Sequence, residues 1–161
     1  MIILLMGVAG SGKTTVGRLL AAELDWAFFD ADDLHPPVNI AKMARGDALT
    51  DADRGPWLDA IHALLRSLRA SDTPAVIACS ALKAAYRARL LRGITDARLV
   101  YLKGDPALIR PRMASREGHY MPVSLLDSQF AALEEPDDAL VIDAAAPPWV
   151  IVRDIRRAVG V

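Results

Sequence analysis

Cysteine is nearly missing from this 161-residue chain: Cys79 is the single one. One thiol can form no internal disulfide and no multi-cysteine zinc site, and it fits a reducing cytoplasm. Excess positive charge is missing too. With 19 Lys plus Arg against 20 Asp plus Glu, the net charge of -1 excludes a nucleic-acid binder that works through a broad basic surface. A local cluster of arginines around a small anion stays possible. No apolar run approaches the about 18 residues that span a bilayer, so no membrane partner is expected. The opening Met1-Ile-Ile-Leu-Leu-Met6 has no basic segment before it and runs into a glycine turn, which reads as a buried strand and not as a signal peptide. Internal repeats, low-complexity tracts and long linkers are also lacking. The expectation is one cytoplasmic domain over residues 1–161, carrying at most a small lid.

What is present is apolar material for a core, 53% of the residues, distributed in alternating patterns. Short apolar runs at 2–6, 27–29, 75–78, 98–102 and 139–142 read as strands. Helical spacing is found at 13–24, 38–43, 51–70, 82–91, 105–115, 125–133 and 147–159, with a polar connection over 116–122. Pro56 is tolerated near a helix start. Five consecutive β-α units predict an α/β fold: a three-layer αβα sandwich with a five-stranded parallel sheet and a small helical lid at about 112–124.

Gly7-Val8-Ala9-Gly10-Ser11-Gly12-Lys13-Thr14 matches the phosphate-binding pattern G-x-x-x-x-G-K-[ST] between a predicted strand and a predicted helix. Glycines let backbone N–H groups converge on phosphates, and the following helix adds its N-terminal dipole. Lys13 is expected to bridge the β- and γ-phosphates of ATP, and the Thr14 hydroxyl to ligate Mg²⁺. An Asn-Lys-x-Asp guanine signature is absent, which argues against a GTPase. The third strand ends in Cys79-Ser80, without the acid that usually assists Mg²⁺ there. Acids cluster instead in Asp30-Ala31-Asp32-Asp33-Leu34-His35. Alternation along an extended chain puts Asp30 and Asp32 on one side, one to support Mg²⁺ and the other to take a proton from an attacking hydroxyl. The alternative is helix capping, a role open to Asp33.

Further along, Asp30-x-Asp32-x-Leu34-His35-Pro36 is followed in order by Asn39-x-x-Lys42-Met43, Gly46-x-x-Leu49, Asp51-x-Asp53-Arg54 and Pro56-Trp57-Leu58. Then come Cys79-Ser80-Ala81-Leu82-Lys83 with Tyr86-Arg87, Tyr101-Leu102-Lys103-Gly104, Arg112-x-x-x-Arg116-x-Gly118-His119, and Ser128-Gln129-Phe130 with Leu133-Glu134. This series resembles the gluconokinases, ATP-dependent kinases of D-gluconate, from Met6 to about Pro136. Two departures are Ala31, where that family usually has Gly, and Tyr120, where it mostly has Phe; neither removes a functional group. The resemblance implies a fold like that of nucleoside monophosphate kinases, phosphorylation of the C6 hydroxyl of gluconate in sugar-acid catabolism, and a homodimer.

Gluconate carries one carboxylate and a row of hydroxyls. Arg54 offers a planar bidentate fork for it, or else a salt bridge within its own Asp51-x-Asp53-Arg54 run. His35 is placed to donate to a substrate hydroxyl or to cap locally before Pro36. Ser80 and Lys83 follow the third strand, at the sheet end where ligands bind; a solvated helix charge is the other role for Lys83. Gln129 and His119 are further substrate candidates, although His119 can simply end the lid. By resemblance Asp32 is the general base and Asp30 supports Mg²⁺. Arg112 and Arg116, four residues apart beside Gly118, resemble lid arginines over the adenine and the phosphates, the alternative being solvated helix charges. Trp26 and Trp57 read as packing residues, Met43 and Met121 as gap fillers, Cys79 as a small buried hydrophobe and His62 as an ordinary helix residue. A shikimate-kinase-like enzyme, a nucleotide kinase and a non-catalytic nucleotide-binding module are the competing readings.

Overall fold

The computed structural model describes residues 1–116 and 122–161, so His119, Gly118, Tyr120 and Met121 lie outside the described residues. Strand β1 (Ile2–Met6) is buried at all five positions, as a central parallel strand covered on both faces must be. It leads through the glycine loop into α1 (Lys13–Leu24), then β2 (Ala27–Asp30) and a 3₁₀ turn at Ala31–Leu34. Helices α2 (Pro37–Ala44) and α3 (Asp51–Ala70) precede β3 (Ala75–Ala78). After α4 (Ala84–Leu90), β4 (Ala97–Lys103) and α5 (Pro106–Ala114) come a 3₁₀ turn (Val123–Leu125), α6 (Leu126–Ala132), β5 (Leu140–Asp143) and α7 (Pro148–Val159). The sheet is parallel throughout, in the order β2-β3-β1-β4-β5. Among the described residues no helix is long and apolar enough to cross a membrane.

Alternation along β1 divides the core into two layers. Ile2 and Leu4 face Trp57, Leu58, Ile61 and Leu65 of α3 and Leu90 of α4. Ile3 and Leu5 face Val16 and Leu20 of α1 and Val152 and Ile155 of α7. A third apolar group joins Val8 and Ala9 of the loop to Ile109 and Met113 of α5 and Leu126 of α6. The glycine loop is therefore clamped from below by the sheet and from the side by the elements that flank residues 117–121.

Three local expectations change. The helix expected over 82–91 begins at Ala84, because Ala81 is left-handed at φ 44° and the buried Arg87 guanidinium donates to the Ala81 and Leu82 carbonyls at 3.0 Å, holding the turn in place. Asp33 caps no helix: Pro36 precedes α2, and Asp30 caps the 3₁₀ turn through the Asp32 N–H. Pro56 falls inside α3, whose start is instead closed by a reciprocal capping box between Thr50 and Asp53.

Candidate active site

β1 sits between β3 and β4 at the switch point of the sheet, where open α/β folds bind ligands beyond their strand ends. A cavity of about 410 Å³ opens there. Its walls run from the turn after β2, past the glycine loop, to Ala144, Ala146 and Pro148 after β5. Residues Ala9 to Thr14 line it. Gly10 at φ 80° and Gly12 at φ 99° take backbone angles that a side chain would strain. A Cβ on Gly10 would also come within 2.9 Å of Met113. Gly7 and Val8 lie beneath the cavity: the Gly7 N–H donates to the Ser80 carbonyl, and Val8 packs in the third apolar group while its carbonyl accepts from Lys13 Nζ at 3.0 Å. The buried Ser11 hydroxyl has no hydrogen-bond partner among the described residues, which leaves a donor inside the loop for an anion.

Burial lowers the Lys13 pKa, and Asp32 and Asp30 oppose that shift by holding a positive charge between loop and acids. Asp30 and Asp32 both line the cavity, for a reason other than strand alternation. The strand stops at Asp30, and the 3₁₀ turn folds Asp32 back so that its N–H donates to Asp30 Oδ1 at 3.0 Å. The other Asp30 oxygen accepts from Thr14 Oγ1 at 2.7 Å. A hydroxyl and a carboxylate in contact form a hard oxygen donor set that fits Mg²⁺, which takes one or two carboxylate-type ligands and completes its shell with water and phosphate oxygens.

On the β2 side of the cavity, His35 lies flat on Trp57, ring centroids 4.3 Å apart and planes within 9°. Trp57 is thus more than packing: its buried indole donates to the Ala31 carbonyl at 2.7 Å and serves as the platform for the imidazole. Arg54 lines the same end, its guanidinium donating to the Leu49 carbonyl at 2.6 Å and resting 5.5 Å from the Tyr86 ring centroid. No salt bridge ties Arg54 to Asp51 or Asp53 among the described residues; those acids pair with Lys83 and Lys42, respectively.

Burial, with a smaller contribution from Arg54, pushes the His35 pKa down from 6.5 to about 4. The unfolded chain then binds a proton that the folded one refuses between those values, so stability falls as pH drops through that window. His35→Phe keeps the aromatic stack and is expected to remove about 1–2 kcal/mol of this acid sensitivity, a figure reduced for solvent screening. Melting temperatures of both proteins from pH 7 to 4 would check it; parallel profiles would mean that the imidazole titrates as in water.

Ser80, Arg112 and Arg116 also border the cavity. The two arginines reach it without sharing a helix face, because α5 ends at Ala114 and Arg116 lies beyond the cap. Lys83 is not brought to the cavity. It stands at the N-cap position of α4, and its side chain pairs with Asp51 at 2.9 Å, beside the Tyr86 hydroxyl that also donates to Asp51. Gln129 is at the cavity but is buried with its Oε1 accepting from the Ala9 N–H at 2.7 Å, which makes it a strut for the phosphate loop. Trp57, Asn39 and the wall after β5 escaped sequence reasoning. The Pro147-Pro148 step was a visible signal for a loop at a strand end; nothing in the sequence marked Trp57 as facing a histidine.

Residues 2–136 match the AAA domain family. The chain is 48% identical over 160 residues to the thermosensitive gluconokinase of Escherichia coli (strain K12), covering 97% of this chain and 86% of that protein. The crystal structure of a gluconokinase from Sinorhizobium meliloti 1021 superposes with a TM-score of 0.86 at 42% identity, covering 98% of this chain and 90% of that one. A sugar kinase from Janibacter sp. HTCC2649, in its unliganded structure, gives a TM-score of 0.92 at 41% identity over 99% and 94% of the two chains. A phosphate loop, paired acids and cationic side chains around one cavity, in a chain this close to those proteins, place it in the gluconokinase family.

Proposed function

We propose that the protein transfers the γ-phosphoryl group of ATP to the C6 hydroxyl of D-gluconate, giving 6-phospho-D-gluconate and ADP. The observation that carries this reading is that one cavity has a phosphate loop as one wall and, as another, the side chains of His35, Arg54 and Ser80. The β- and γ-phosphates lie against the loop N–H groups and Lys13, with Arg112 and Arg116 closing over the nucleotide from the lid. Mg²⁺, held by Thr14 and Asp30, supplies neutralisation of phosphate charge when bound. Arg54 takes the gluconate carboxylate in its planar fork, while His35 and Ser80 meet hydroxyls. Asp32 accepts the C6 hydroxyl proton as the bond to phosphorus forms, and the departing ADP keeps the electron pair of the broken bond. Because the transition state for phosphoryl transfer is loose, positioning of that hydroxyl counts alongside basicity. Arg116 spreads its charge over the equatorial oxygens and excludes water.

The same reading places the enzyme in the cytoplasm as a homodimer of single kinase domains with a lid at about 112–124. It feeds the pentose phosphate or Entner–Doudoroff route. ADP release from MgATP, measured with gluconate, shikimate and AMP as alternative acceptors, tests it. Turnover with gluconate alone is expected. Turnover with shikimate or AMP alone would keep the kinase and remove the substrate assignment, and slow acceptor-independent hydrolysis would indicate a binding module.

A further inference from the structure

Asn39 lies on α2, 2% exposed, and its side-chain amide touches two groups. Nδ2 is 2.9 Å from the Asp53 carbonyl oxygen and 3.3 Å from His35 Nδ1. A backbone carbonyl can only accept, so the amide end facing Asp53 is the NH₂ group. That nitrogen has a second proton and no lone pair to offer, so His35 Nδ1 must accept. A neutral imidazole with Nδ1 as acceptor carries its hydrogen on Nε2.

Among the described residues no other group is within hydrogen-bond distance of Nδ1. The Asp53 carboxylate is occupied by Lys42 Nζ at 2.7 Å and the Thr50 N–H at 2.9 Å. The Trp57 platform holds the ring plane, and Pro36 restricts the backbone at His35 to the extended conformation it shows, φ -65° and ψ 135°. Arg54, lining the same cavity, disfavours a second positive charge on the imidazole.

We propose that Asn39 is a positioning residue that fixes His35 as the Nε2–H tautomer, so that the acceptor end of the cavity presents a neutral N–H donor. Such a donor selects an oxygen lone pair on a polyol acid, a hydroxyl or the carboxylate. This inference rests on the reading above that the acceptor binds beside His35; the tautomer itself does not depend on it.

The test uses the full-length protein labelled with ¹⁵N-histidine. The chain has three histidines, and the His35 signals are those lost in His35→Phe. Long-range ¹H–¹⁵N correlations at pH 7 are expected to show the neutral Nε2–H pattern for His35; an Nδ1–H or imidazolium pattern would overturn the proposal. Asn39→Asp keeps the size but replaces the donor by an acceptor, and is expected to move His35 to an Nδ1–H or charged form. It is also expected to raise the gluconate KM about tenfold, the worth of one hydrogen bond, with kcat and the ATP KM within a few-fold of wild type. In a His35→Phe background, Asn39→Asp is expected to add nothing further to the gluconate KM; an additive loss would mean that Asn39 only braces α2 against α3. If Asn39→Asp does not fold, the wild-type spectrum and the His35→Phe kinetics decide. Failure of the wild type to phosphorylate gluconate would overturn the substrate reading alone, and the spectrum would still report on Asn39.

Discussion

Asp32→Asn lowers turnover with MgATP and gluconate by about 10²- to 10⁴-fold, the range that a positioned general base contributes, while nucleotide affinity stays close to wild type. The expectation follows from the turn after β2. Asp30 contacts the Asp32 backbone N–H through one oxygen and Thr14 through the other, and Asp32 lines the cavity beside the phosphate loop. Asparagine preserves the turn, because the bond from position 32 to Asp30 uses the backbone N–H. It cannot take a proton. Single-turnover phosphoryl transfer together with titration of a fluorescent ATP analogue would separate chemistry from binding. A loose transition state would place the loss at the small end of the range, and wild-type turnover would remove Asp32 from the mechanism.

Lys13→Met is expected to cost about 10²- to 10³-fold in kcat, the effect of deleting one preorganised donor at a developing negative charge, and to weaken ATP binding as well. Methionine keeps the apolar stem against the loop but removes the ammonium that donates to the Val8 carbonyl and lies in the field of Asp32 and Asp30. Burial pulls the Lys13 pKa down and those two acids oppose it, so the ammonium sits in a field shaped for a neighbouring anion. The contrast with Asp32→Asn is the informative part: the lysine variant loses both nucleotide affinity and rate, the aspartate variant rate alone. Equal nucleotide affinity in wild type and Lys13→Met would show that the backbone N–H groups and the α1 dipole hold the phosphates unaided.

The glycine loop was legible because its chemistry is contiguous. Eight successive residues carry the motif, and its flanking strand and helix are written in local periodicity. The same holds for β1, an unbroken apolar run, and for α1 and α3, whose observed limits are those the spacing predicts. Asp30 and Asp32 are identifiable as a pair from their spacing, but a 3₁₀ turn, not strand alternation, brings them together. Lys83 does not line the cavity, because sequence proximity to the end of β3 does not reveal where a long side chain finds its countercharge. Here Asp51, thirty-two residues upstream, captures it.

What the sequence by itself determined is therefore the identity of the phosphate site, the order of β-α units and the family, since each depends on residues that act within a few positions of one another. Tertiary structure alone decided which polar groups brace the site and which line it. Gln129 does both, because folding brings it to the cavity wall and within 2.7 Å of an N–H 120 residues away. His35 received its platform from Trp57 and its hydrogen-bond partner at Nδ1 from Asn39 in the same way. A hydrogen bond needs a few tenths of an ångström of accuracy between groups that the chain itself does not connect, and only the packed core of sheet and helices supplies that.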